Sequence, residues 1–337
     1  MPDGINIVVT CSRSKRLESE DYLRLEHVRS ENIRDRFKQW VNNIERADQE
    51  DVPVLPANQM YSGATWHAAR KLKAAAESQG FESSAWIISA GYGLIGDYVP
   101  IHSYGAAFSK SASDSISAGL TSEKDFNAEK DWWELLGGWE GPSPGSPRSI
   151  YDLAIKYPSR TLLVVLSKSY LKAVDEDLIN ARDVLDDPNQ LVIISTGTSN
   201  HGLLSRNLLP SSSEFRLLVG GVLSTLNPRL AKRVIMESNE NAISAEVLHA
   251  VYTKLLKEQP PLPKISRQRL PANEVEAYIR NATLNNPKAT KSGLLKQYRV
   301  DGFAFEQKKF FALFEKVSNK AIHKGTEEQI AIDWSGE

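Results

Sequence analysis

Short aliphatic and β-branched runs alternate with longer amphipathic stretches over most of the chain. Ile5–Thr10 (INIVVT), Trp86–Ser89 (WIIS), Thr161–Leu166 (TLLVVL), Leu191–Ile194 and Phe215–Val219 read as strands. Largely unbroken apolar runs mark strands covered on both faces, as in parallel sheets. Between them, Ala64–Gln79 and Ser167–Asp183 read as helices. The alternation predicts an α/β fold, an open and mostly parallel sheet with flanking helices. Each strand runs into Ser, Thr or Gly, and ligands of open α/β sheets bind at the carboxyl ends of the strands. One such end is ordinary turn chemistry; five together predict a pocket.

The remainder divides by composition. Residues 103–147 are rich in Ser, Gly and Pro and carry Trp132, Trp133 and Trp139, which predicts a lid with a short helix over Ala128–Leu136. Adjacent tryptophans cannot share one helical face, so one is expected to pack inward while the other is free to stack. Glu258–Pro263 (EQPPLP) reads as a stiff linker that ends a domain spanning 1–257. Beyond it, 264–325 predicts three short helices, Ala272–Ala282, Thr290–Tyr298 and Phe303–Lys320, with Gly302 at a turn. Such a unit is helix-turn-helix-like and is expected to bind DNA.

Charge sharpens that division. The chain of 337 residues has a net charge of -1, yet Lys264–Lys324 holds 13 Lys and Arg against 5 Asp and Glu. This +8 against -9 elsewhere suggests that one end meets a polyanion. Lys291, Lys296, Arg299, Lys308 and Lys309 would form a phosphate-contact surface rather than a base-reading code. The lone Cys11 excludes an internal disulfide and a cysteine-cluster metal site. No apolar run approaches the roughly 20 residues of a membrane span, and the N-terminus lacks a basic-then-apolar secretory pattern. A soluble, cytoplasmic protein without membrane contact or obligate protein partner is expected.

Phosphate-loop, dinucleotide-loop, HExxH and GxSxG motifs are absent. Three polar pieces stand out instead: TCSRSK (Thr10–Lys15), QMYSGATW (Gln59–Trp66) and SAGYGLI (Ser89–Ile95), followed by Asp97 and Tyr104. The first suits an anion, and the second is a turn entering a helix. Together the three resemble the YaaA-like family of bacterial proteins and relatives found beside DNA-modification and phage-defence genes. The resemblance spans roughly Ile5 to Ser109. Trp132-Trp133, the LVVLSKSYL stretch that includes Ser167–Leu171, and LLKQYRVDGFAFEQKKFFALF support it. It implies a DNA-associated α/β protein, with some relatives acting on modified bases as glycosylases.

Cleaving an N-glycosidic bond needs a carboxylate near the sugar and donors for the departing base. The base must also be flipped into an aromatic-walled pocket. Asp97 is the expected carboxylate, with Glu129 and Asp131 in the lid as rivals. Asn200 and His201, after a strand end, could orient water or donate to the base. Ser89, Ala90, Gly91, Tyr92 and Gly93 would offer donors, with Tyr61, Tyr92 and Tyr104 as walls. Cys11, Ser12, Ser62 and Gly63 would complete the pocket, while Arg13 and Lys15 would hold phosphate. No metal and no organic cofactor is expected. The resulting expectation is a glycosylase that excises a hypermodified base, such as glucosylated hydroxymethylcytosine, from phage DNA. A non-catalytic DNA-binding stress protein of YaaA type and a base or nucleotide transferase are the alternatives.

Overall fold

The computed structural model describes residues 4–120, 127–197, 202–238, 245–259 and 266–318. Its contacts divide the chain into two units, Met1–Pro261 and Leu262–Glu337. The first opens with β1 (Ile5–Thr10), α1 (Ile33–Gln49), β2 (Val54–Pro56), α2 (Ala57–Met60), α3 (Gly63–Ala69) and α4 (Lys71–Glu77). There follow β3 (Ser83–Ser89), β4 (Gly93–Gly96), β5 (Pro100–His102), α5 (Ala128–Gly137) and α6 (Ile150–Lys156). Next come β6 (Thr161–Leu166), α7 (Lys168–Ala173), α8 (Asp175–Val184), β7 (Leu191–Ser195) and β8 (Leu208–Pro210). The unit closes with α9 (Arg216–Val219), α10 (Leu226–Glu237) and α11 (Ala245–Lys257).

Six strands form one sheet in the order β4-β3-β1-β6-β7-β8, parallel except for β4. Every residue of β6 and β7 is buried, so both faces of the centre are covered. On one side α4 packs on β1 and β3, while α10 packs on α4, β6 and β7. A second layer is built by α1, α5, α6, α7 and α8, with α5 touching α1, α7 and β4. Among the described residues no helix is long and apolar enough to cross a membrane.

Three expected elements differ. Phe215–Val219 is not a strand: Phe215 ends a short 3-10 turn and the rest is helix α9, closed by Gly220 at φ 66°. Only Phe215 of that run is buried, so it lacks the two covered faces of a central strand. The sheet edge is β8 instead, and its terminal Pro210 suits an edge position. Both long helices are broken, one at Arg70 and the other at Val174. In α5, both tryptophans pack inward because the helix is covered on two sides. Trp132 Nε1 donates to Ala90 O (2.8 Å) and Trp133 Nε1 to Asp177 Oδ2 (2.9 Å). The Asp177 carboxylate also accepts from the backbone N–H of Ile150 and Tyr151 at the start of α6, which ties three helices together.

The second unit contains β9 (Gln268–Arg269), α12 (Ala272–Asn285), α13 (Lys291–Val300) and β10 (Phe303–Ala304), then a helix over residues 307–318. Val275, Ile279, Leu294, Leu295, Tyr298, Phe310 and Val317 form its own small core.

Candidate active site at the strand carboxyl ends

The register lines the strand ends up along one edge. Thr10 pairs with Ile88, Val9 with Val165, and Leu166 with Ser195, which in turn faces Pro210. From β1 the chain moves to β3 and β4 on one flank and later returns to β6, β7 and β8 on the other. Connections that diverge in this way open a crevice outside the carboxyl ends, where ligands bind.

A cleft of about 750 Å³ occupies this region, lined by Phe108, Lys110, Glu129, Ser167, Lys168, Lys172 and Thr196 among others. Ser167 and Thr196 lie just past the ends of β6 and β7, while Lys168 and Lys172 are one turn apart on α7. Glu129 lies in the first turn of α5, a position favourable for a carboxylate. It is 6% exposed, and its Oε1 has no hydrogen-bond partner among the described residues. Lys110 Nζ is 3.9 Å from Oε2. The Phe108 ring packs edge-on against Tyr170 at 5.0 Å, and the Tyr170 hydroxyl lies 3.0 Å from Cys11 Sγ. Cys11 is thereby built into a buried wall.

The three polar pieces do come together. Ser12 Oγ donates to Ser62 O (2.8 Å), Ser62 N to Ser14 O (2.9 Å), and Lys15 forms an isolated antiparallel bridge with Tyr61. Gly63, at φ 87°, lies against the Ser14 side chain. Tyr61 Oη is 3.0 Å from Tyr104 Oη, which is 2.7 Å from Ser89 Oγ. A Cβ at Gly91 would meet the Tyr104 ring at 2.7 Å, so only glycine fits there. Lys15 Nζ sits 4.0 Å above the Tyr104 ring. Burial raises the hydroxyl pKa of Tyr61, Tyr92 and Tyr104, keeping all three neutral. Arg13 is exposed and donates to Ser113 Oγ (3.0 Å).

The segment Ser89–Gly93 is fully buried, and its polar groups are taken. Ser89 Oγ accepts the N–H of Gly91 and Tyr92; Trp132 and Trp40 bond the carbonyls of Ala90 and Gly91; Arg148 donates to Tyr92 O. Expected as a set of free donors, it is a packing hub. Asp97 is also elsewhere. The antiparallel register sets Gly93 beside Ser89 and Gly96 beside Trp86, and Asp97 N bonds Ala85 O. That is four residues, or about 13 Å, back along β3 from the strand tip. Asp97 borders a different depression, with Asn58, Trp66 and Lys73. Asp97→Asn is therefore expected to leave turnover nearly unchanged, and a steady-state assay checks this. Asn200 and His201 lie outside the described residues, and Asp131 borders a groove between α1 and α5.

In the second unit Lys291 pairs with Glu315 (2.7 Å) and Lys309 with Glu306 (3.2 Å). Lys296, Arg299 and Lys308 have no ion pair among the described residues. Those described also include no cluster of three or more His, Cys, Asp or Glu able to hold a metal. Lys110, Lys168, Lys172, Tyr170 and Arg148 were not among the site residues expected from sequence. A lysine pair four apart directly behind a strand end was the available signal. No family model, curated protein or solved structure matches the chain.

Proposed function

We propose that this chain is a DNA glycosylase that excises a modified base from phage DNA, with Glu129 as its catalytic carboxylate. The observation that carries the reading is Glu129 itself, a buried acid that lines a cleft holding three lysines and whose Oε1 has no hydrogen-bond partner among the described residues. The resemblance of the Ile5–Ser109 segment to YaaA-like proteins points the same way. As the C1′–N bond breaks, its electron pair leaves with the base and positive charge develops on the sugar. Glu129 offsets that charge and takes a proton from the attacking water. Lys110, Lys168 and Lys172 hold flanking phosphates, and the hydroxyls of Ser167 and Thr196 supply donors. The cleft volume of about 750 Å³ lies high in the usual range for small-ligand sites and suits a bulky adduct such as glucosylated hydroxymethylcytosine.

The C-terminal unit supplies sequence-independent affinity. Replacing Lys296, Arg299 and Lys308 by Ala should weaken binding equally on all sequences and lower the slope of log affinity against log salt by up to about 3. A salt titration of DNA binding checks this; an unchanged slope would place the phosphate contacts elsewhere.

Incubation with modified and unmodified phage DNA tests the activity. Free base together with alkali-labile sites supports excision. Intact DNA in a stable complex would favour a binding protein, and dependence on added free base or nucleotide a transferase.

A further inference from the structure

Asp97, Asn58 and Trp66 have no part in the hydrolysis just described, yet they meet in a second cavity. It measures about 480 Å³ and shares no lining residue with the cleft beside Glu129. Its floor is one face of the sheet, where Ile7 pairs with Ala85 and, two residues further along each strand, Val9 pairs with Ile87. Trp66 and Ala69 of α3 and Ala74 of α4 complete the apolar lining. The polar lining is Asn58 and Gln59 of α2, Asp97 after β4, and the three cations Arg70, Lys71 and Lys73.

Backbone bonds hold these pieces in place, while the side chains stay open to a ligand. Asn58 N donates to Asp97 O (2.8 Å), Asp97 N to Ala85 O (3.1 Å), and Trp66 Nε1 to Asn58 O (3.1 Å). Asn58 Oδ1 is buried with no hydrogen-bond partner among the described residues. The half-buried Asp97 carboxylate has no partner among them either, and Arg70, Lys71 and Lys73 make no ion pair there. A buried acceptor without a donor is unfavourable, and a ligand that donates to it removes the penalty.

We propose that this cavity is a binding site for a free guanine nucleotide, independent of the glycosylase reading. The volume falls within the roughly 300–1,000 Å³ of small-ligand sites, and the apolar floor beside Trp66 suits a flat base. The carboxylate decides which base. Ionised, it presents two acceptors side by side. Guanine alone among the common bases offers two adjacent donors, N1–H and N2–H, and so engages both oxygens of Asp97 in charge-assisted bonds. Its second N2–H remains for Asn58 Oδ1. Adenine and cytosine carry a ring-nitrogen lone pair beside the amino group, which would face the carboxylate. Uracil and thymine flank their one N–H with carbonyls, which the carboxylate also repels. Three cations against one carboxylate leave the lining positive, which suits the phosphates of a nucleotide.

Isothermal titration of the full-length protein with GDP, ADP, guanosine and pyrophosphate tests this. GDP should bind once per chain, with the other three at least about 10-fold weaker, since each lacks the base edge or the phosphates. This comparison uses the wild-type chain and does not depend on how a variant folds. Asp97→Asn should weaken GDP at least about 10-fold, and Lys73→Ala should weaken GDP but not guanosine. Lys168→Ala, in the other cleft, should leave GDP affinity unchanged. No GDP binding, ADP or pyrophosphate binding as tightly as GDP, or loss of GDP binding in Lys168→Ala overturns the proposal. None of these ligands is a base in DNA, so either result stands whether or not modified DNA releases free base.

Discussion

Glu129→Gln is expected to slow base release by about 10³-fold, within the range spanned by general-base catalysis. The substitution keeps the shape and removes only the charge. DNA affinity should stay nearly constant, because binding draws on lysines and arginines instead. Stability should hold or improve slightly, since a carboxylate with 6% exposure and one oxygen without a partner among the described residues is costly to bury. Single-turnover kinetics separates these quantities. A variant that cleaves at the wild-type rate would transfer the role to another acid, and one that fails to bind would show Glu129 to be structural.

A different loss is expected at Arg148. Its buried guanidinium donates to Leu94 O (3.0 Å), Trp139 O (2.9 Å) and Tyr92 O, fastening the β3–β4 hairpin to the turn after α5. Desolvation lowers its pKa to about 10, so it stays charged at neutral pH. Arg148→Leu would strand three carbonyls in the interior and cost about 3–5 kcal/mol. For a unit of this size the melting temperature should fall by on the order of 10 °C. Thermal unfolding measures it; a shift within about 2 °C would mean that water or a neighbour satisfies those carbonyls.

The central strands were legible because β1, β6 and β7 are almost wholly buried, and burial on both faces leaves unbroken apolar sequence. Phe215–Val219 was not, since three aliphatic neighbours fit a helical turn as readily as a strand. The meeting of Thr10–Lys15, Gln59–Trp66 and Ser89–Ile95 could be read from polar groups at two strand ends and a helix start. What they build could not. Whether Ser89–Gly93 offers donors or consumes them depends on Trp40, Trp132 and Arg148, which arrive from distant segments. Asp97 was misplaced because β4 runs back along β3, so closeness in sequence to Gly93 becomes distance from the tip. Glu129 was only one acid of a polar segment, and its burial depends on how α5 docks.

On the proposed function, the cleft beside Glu129 receives the nucleotide that is cleaved. A crystal structure of Glu129→Gln bound to an oligonucleotide containing the excised base tests it most directly. The expected result is a flipped nucleotide with its C1′ next to residue 129 and its phosphates on Lys168 and Lys172. A nucleotide seated at another part of the sheet edge, or DNA bound with every base stacked and the cleft empty, would contradict it.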